Sequence, residues 1–141
     1  MGRGDQATVR VDTVAALDVS DAWVALVAVD LVYRSRDPLA VEMVLRAPGE
    51  EGISWTFAWE VLAQGQVEPT GEGDVRVRPS WGSTGIRCVE VALGPFPTVC
   101  VRLPEQDVVS FVNALRARVH GDLRQVAEAL DCELAVIMAD A

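Results

Sequence analysis

Over roughly its first hundred residues the chain alternates apolar and polar positions with a period of two, and after that the period lengthens to between three and four. The first regime predicts strands. Val9, Val11, Thr13, Ala15 and Leu17 share one face of a strand over 7–17, with Arg10 and Asp12 on the other. After a turn at Asp18-Val19-Ser20-Asp21, residues 22–34 are apolar on both parities: Trp23, Val27, Val29, Leu31 and Tyr33 against Val24, Leu26, Ala28 and Val32. Such a strand is covered on both faces. The second cover comes either from a helix of the same chain or from another subunit.

A tight connection at Ser35-Arg36-Asp37-Pro38 holds Asp37 extended and starts a strand over 39–47, which ends in the hairpin signal Pro48-Gly49-Glu50-Glu51-Gly52. In the next strand Ile53, Trp55, Phe57 and Trp59 share a face. Glu60 to Gly65 reads as about one helical turn closed by glycine, and Pro69-Thr70-Gly71-Glu72-Gly73 as a loop whose glycines supply positive φ. Asp74 to Pro79 puts Val75 and Val77 on one face and Arg76 and Arg78 on the other. Pro79 marks where ladder pairing stops or runs along an edge. Turns at Trp81 to Gly85 and Gly94 to Pro97 bracket strands over 86–93 and 98–103.

The helical regime opens with Pro104 at the first helical position and Glu105 and Asp107 in the first turn. Val108, Phe111, Val112, Leu115 and Val119 make one stripe suited to lie on a sheet. Gly121 is expected to end that helix and Asp122 to cap a second, with the stripe Leu123, Val126, Ala127, Leu130, Leu134, Ile137 and Met138. The fold class predicted is α+β: about seven strands in a mostly antiparallel sheet with two C-terminal helices packed on it. The 141 residues are read as a single domain with the first six disordered.

Composition narrows the function classes. Twenty-one acidic residues against twelve basic ones, all arginine, leave a formal charge of -9, which repels phosphate backbones and acidic lipid heads. The longest uncharged apolar run, Ala22 to Val29, is far short of the roughly 20 residues that span a bilayer. Nucleic acid is therefore a disfavoured partner and membrane insertion is not expected. Three cysteines lack a metal or disulfide spacing, which suits a reducing cytoplasm.

No catalytic set is recognisable. The lone histidine, His120, sits beside a helix end; Cys88, Cys100 and Cys132 read as small hydrophobes; and Glu50-Glu51 lacks metal-ligand spacing. The loop from Pro69 to Asp74 is glycine-rich, yet it lacks the lysine of a phosphate loop and leads into a strand. No enzyme activity, metal or cofactor is expected. Trp23 and Trp55 read as core. Trp59, at a strand-to-helix corner, and Trp81, in a polar turn, read as interface anchors. Arg76 and Arg78, with Arg87, could form a small basic face or pair with local carboxylates.

Trp55, Phe57, Ala58, Leu62, Ala63, Gly65, Pro69, Thr70, Gly71, Gly73, Asp74, Val75, Arg76, Val77 and Pro79, in that order and spacing, resemble the SsgA-like proteins, sporulation-associated division proteins of actinomycetes. Tyr33, Asp37-Pro38 and Ala40-Val41 match upstream, so the resemblance runs from about Leu31 to the C-terminal helices. The chain departs from that pattern at Trp59 and Arg78, and it carries His120-Gly121-Asp122 where the family has a proline-rich break.

The resemblance implies a strongly bent sheet similar to the Whirly fold. It also implies a non-enzymatic role in placing or controlling septum assembly, and contacts with the tubulin-like division GTPase or a family paralogue. Homo-oligomers such as trimers, and a cytoplasmic protein recruited to the septum, are further expectations. The expected interaction surface comprises Tyr33, Asp37, Trp59, Pro69, Thr70, Gly71, Gly73, Asp74 and Trp81. The alternative function is a single-strand nucleic-acid binder that stacks bases on exposed aromatics.

Overall fold

Strand β1 (Thr8–Val19) pairs antiparallel with β2 (Trp23–Arg34) over its whole length, from Thr8 opposite Arg34 to Val19 opposite Trp23. The computed structural model describes residues 8–19, 23–82, 85–95 and 98–139, without the side chains of Val19, Trp23 and 135–139. The expected disorder of residues 1–6, the turns at 20–21, 83–84 and 96–97, and the core placement of Trp23 lie outside that description. Then come β3 (Ala40–Arg46), β4 (Ile53–Ala58), the helix α1 (Trp59–Gly65), β5 (Val75–Trp81), β6 (Arg87–Leu93), β7 (Val99–Pro104) and the helix α2 (Glu105–Ala139). All seven strands join one antiparallel sheet in the order β4-β3-β2-β1-β7-β6-β5.

That order places β4 and β5 at opposite edges, yet only α1 and a short loop connect them. Six inter-strand steps would separate the edges of a flat sheet by about 29 Å, whereas a seven-residue helix spans about 10 Å. The sheet resolves this by curling, and α1 touches both β4 and β5. Leu62 and Ala63 of α1 are buried in the seam. The stretch from Trp55 to Pro79 therefore joins the two edges.

The expected alternation puts one continuous apolar face inside the curl, where Val29, Leu31, Tyr33, Val41, Met43, Val77, Val89, Val91, Val101 and Leu103 are buried. Val108, Phe111, Val112, Leu115 and Val119 of α2 are buried against that face. Polar contacts fix the first half of the helix: Thr13 Oγ1 donates to Asp107 at 2.5 Å, Arg118 Nη2 to Ser35 Oγ at 2.7 Å, and Tyr33 Oη to Asp122 at 2.7 Å.

The structure corrects the C-terminal reading. There is one C-terminal helix, not two, and it runs through His120, Gly121 and Asp122 without a break. The Asp122 carboxylate accepts from Tyr33, which removes it as a cap. An interior glycine costs only about 1 kcal/mol relative to alanine. Pro104 is also not the first helical residue: it ends β7 opposite Cys88. Trp81 lies not in a turn but at the end of β5, which continues through Pro79 because β5 is an edge strand.

Candidate functional site

The loop after α1 is pinned to the outer edge of β5. Thr70 N–H donates to Val77 O at 2.8 Å, Val77 N–H returns to Thr70 O at 2.9 Å, and Gly94 N–H reaches Asp74 O at 2.7 Å. Gly71 and Gly73 have φ of 105° and 101°, as expected of a loop this tight. A side chain at Gly71 would also meet Val75 O at 2.5 Å.

Between this loop and the outer face of the sheet lies a pocket of about 430 Å³, lined among others by Thr70, Arg76, Arg78, Glu90 and Cys100. Cross-strand register explains the set. Arg78 faces Glu90 and Glu90 faces Arg102, so one row runs across β5, β6 and β7. Buried Glu90 accepts from Arg78 Nε at 2.9 Å and lies 3.8 Å from Arg102 Nε, while Arg102 also pairs with Asp18. Arg76 is different: among the described residues it has no carboxylate partner. Arg76 is exposed at the pocket, and Arg78, also exposed, stands one pleat away. Burial pushes the Cys100 thiol above its usual value, so it sits there as a neutral group. The arrangement offers donors for an incoming carboxylate and has no nucleophile paired with a base.

A second ionic row stiffens the outer face near β2. Buried Asp30 accepts from Arg10 Nη2 at 2.9 Å and also pairs with Arg46. Between and beside the two rows Val14, Val24 and Leu26 are exposed, Leu26 at 71%, and the register sets them on the same face of β1 and β2, with Leu26 opposite Ala16, Val14 opposite Ala28 and Val24 opposite Asp18. This is the second apolar face anticipated for β2. Neither helix of the chain covers those three side chains.

The remaining expected site residues do not converge. Pro69, Thr70, Gly71, Gly73 and Asp74 form the loop. Asp37 is exposed in the β2–β3 turn, close to Trp59, whose N–H donates to Leu39 O at 3.0 Å. Trp59 is half-buried against the core. Tyr33 is corrected as a surface residue, because its ring is fully buried and its hydroxyl is spent on Asp122. Trp81 is 64% exposed, with its ring centroid 5.6 Å from the Arg87 guanidinium. It has the parity of Val77, so it lies on the face opposite Arg76 and Arg78. Sequence reasoning missed Glu90 and Cys100 as neighbours of the loop; an alternating charge at Glu90 was the available signal.

The site and its scaffold define an α+β domain: a curled antiparallel sheet with an edge loop, an ionic outer face and a long terminal helix. The family model of the Streptomyces sporulation and cell division protein SsgA matches residues 27–122. The chain belongs to the SsgA family of sporulation and cell-division proteins. It is 37% identical over 132 residues to the sporulation-specific cell division protein SsgB of Salinispora tropica, covering 92% of this chain and 90% of that one. A sporulation-specific cell division protein of Frankia casuarinae is 43% identical over 83 residues, which is 58% of this chain and 56% of that protein's length. A solved structure of SsgB from Streptomyces coelicolor, in which mutations correlate to longitudinal cell division during sporulation, superposes with a TM-score of 0.74. It is 34% identical and covers 82% of this chain and 92% of that one. The family is one of division regulators and not a known enzyme family.

Proposed function

We propose that this protein regulates septum assembly during sporulation without catalysing a reaction, by binding other division proteins. The partners are the tubulin-like division GTPase or a family paralogue. The observation that carries the reading is the edge pocket. In a chain of formal charge -9, Arg76 and Arg78 are held beside a tight loop, and Arg76 has no carboxylate partner among the described residues, which suits an acidic segment of a partner. Val14, Val24 and Leu26 serve as a second contact, to another copy of the chain, and several copies multiply a weak contact into avidity. The site of action is the septum. Recruitment is by protein contact; among the described residues no helix is long and apolar enough to cross a membrane.

Base stacking is the weaker reading. Phe57, Phe111 and Tyr33 are buried, which leaves Trp81 as the one large exposed aromatic among the described residues. The test is co-pelleting with polymers of the division GTPase. Saturable pelleting that Arg76→Glu abolishes, with melting unchanged, supports the proposal. Absence of pelleting at high concentration removes the GTPase as direct partner.

A further inference from the structure

The two edges of the curled sheet are finished differently. At β5 the loop residue Thr70 already occupies the outward groups of Val77. At β4, among the described residues, no other segment of the chain takes that place. The bond from Trp59 N–H to Leu39 O fixes the phase of the β3–β4 ladder, in which residues of one parity bond to the neighbour and those of the other point away. Ile53, Trp55 and Phe57 therefore bond to β3, whereas Ser54 and Thr56 turn their N–H and C=O outward. Both side chains are exposed, small and uncharged, and β4 contains no proline or lysine to blunt the edge.

Beside this edge the inside of the curl is open. Phe57 is buried, Trp55 is half-buried and Ile53 is 62% exposed, so the inner face of β4 emerges from the core toward the β3–β4 hairpin. There a pocket of about 640 Å³ is lined by Leu45, Ile53, Trp55 and Leu93, with Glu50 and Glu51 also on its wall. The helix α1 leaves β4 at Ala58, the end away from the pocket. We infer that β4 accepts an extended segment of a partner protein as an added strand, antiparallel like the other pairs of the sheet, with apolar residues at alternate positions and a basic residue beside them. Main-chain bonds to Ser54 and Thr56 supply the hold, and the alternate side chains supply the choice. Residues opposite Trp55 and Ile53 point to the inner side and fill the pocket. The basic residue, two positions beyond, meets Glu51. Its sign complements the hairpin carboxylates and the formal charge of -9. This site lies at the opposite edge from the Arg76 pocket and prefers the opposite charge, so it stands whichever partner that pocket takes.

The experiment titrates the full-length chain with the capped peptide Thr-Phe-Thr-Ile-Thr-Arg, written to run against β4 from Thr56 to Glu51, and follows backbone amides by NMR and hydrogen exchange. The Ser54 and Thr56 amides exchange freely in the free chain and become protected as binding saturates. Methylating the nitrogen of the second threonine, which lies opposite Ser54, abolishes binding. Methylating that of the isoleucine, which faces away from β4, leaves binding within about twofold. Thr56→Pro removes an outward donor without touching the β3 ladder and also abolishes binding. Glu51→Arg weakens binding about fivefold, and a peptide ending in glutamate recovers it. The methylated peptides act on the wild-type chain and keep the test intact if Thr56→Pro misfolds. Absence of saturable binding, equal binding by the two methylated peptides, or Ser54 and Thr56 amides already protected in the free chain, as a second copy seated there would make them, overturns the proposal.

Discussion

The Tyr33 hydroxyl donates to the Asp122 carboxylate at 2.7 Å and ties the buried end of β2 to the middle of α2. Burial first, then this hydrogen bond and the charge of Asp122, raise the Tyr33 phenol well above its ordinary value of 10.0. The folded chain keeps a proton that the unfolded chain releases near that value. The stabilisation is complete below pH 10 and falls as pH rises toward the folded value. Denaturant unfolding from pH 8 to 12 should show this decline, and Tyr33→Phe should lose the part due to Tyr33. At neutral pH Tyr33→Phe should cost about 1–2 kcal/mol.

Glu42 supplies the acid counterpart. The Arg34 hydrogen bond, at 2.9 Å, and one from Ser54 hold its carboxyl below the usual 4.5. This stabilisation is present above the unfolded value and is lost as pH falls through the folded one. Glu42→Gln should flatten the stability profile between about pH 5 and 3, as read by urea midpoints.

Three glycines should respond differently to alanine. At Gly65 the new methyl collides with Val77 Cβ and Cγ1, an overpacking cost of about 1–3 kcal/mol. Gly71→Ala faces both a φ of 105° and the Val75 carbonyl, and should also destabilise. Gly121 has nothing within 4 Å of its missing Cβ and lies inside a helix. Gly121→Ala should stabilise by about 0.5–1 kcal/mol. Thermal melting of the three variants checks the order.

Arg76→Glu and Trp81→Ala separate the two faces of β5. If partners dock at the edge pocket, Arg76→Glu weakens binding at least tenfold and Trp81→Ala leaves it within about twofold. The reverse pattern in pull-downs with a purified division protein would move the interface to the Trp81 side. Neither change should alter stability by more than about 0.5 kcal/mol.

The strands were legible because alternation is clear within single strands: Val9, Val11, Ala15 and Leu17, and later Val75 and Val77, all land on the core side, whereas Trp59, read on the strand face of Trp55 and Phe57, instead opens α1. What escaped depended on partners distant in sequence. Gly121 and Asp122 carry the identities of a helix stop and a cap, and that reading is overturned by Tyr33, 89 positions away. Gly65 reads as a helix terminator, whereas the approach of Val77 from the opposite edge of the sheet gives it a second reason to be glycine. Arg76 and Arg78 were visible as a basic pair. That Arg78 is paired, while Arg76 has no carboxylate partner among the described residues, follows from Glu90 facing Arg78 across the ladder.

The clasp formed by α1 and its loop also limits how copies can polymerise. Val77 spends its outward N–H and C=O on Thr70, and Pro79, two residues on, has no N–H to present on that side. The β5 edge therefore lacks the run of free donors and acceptors that templates strand addition, so endless cross-β stacking finds no seed there.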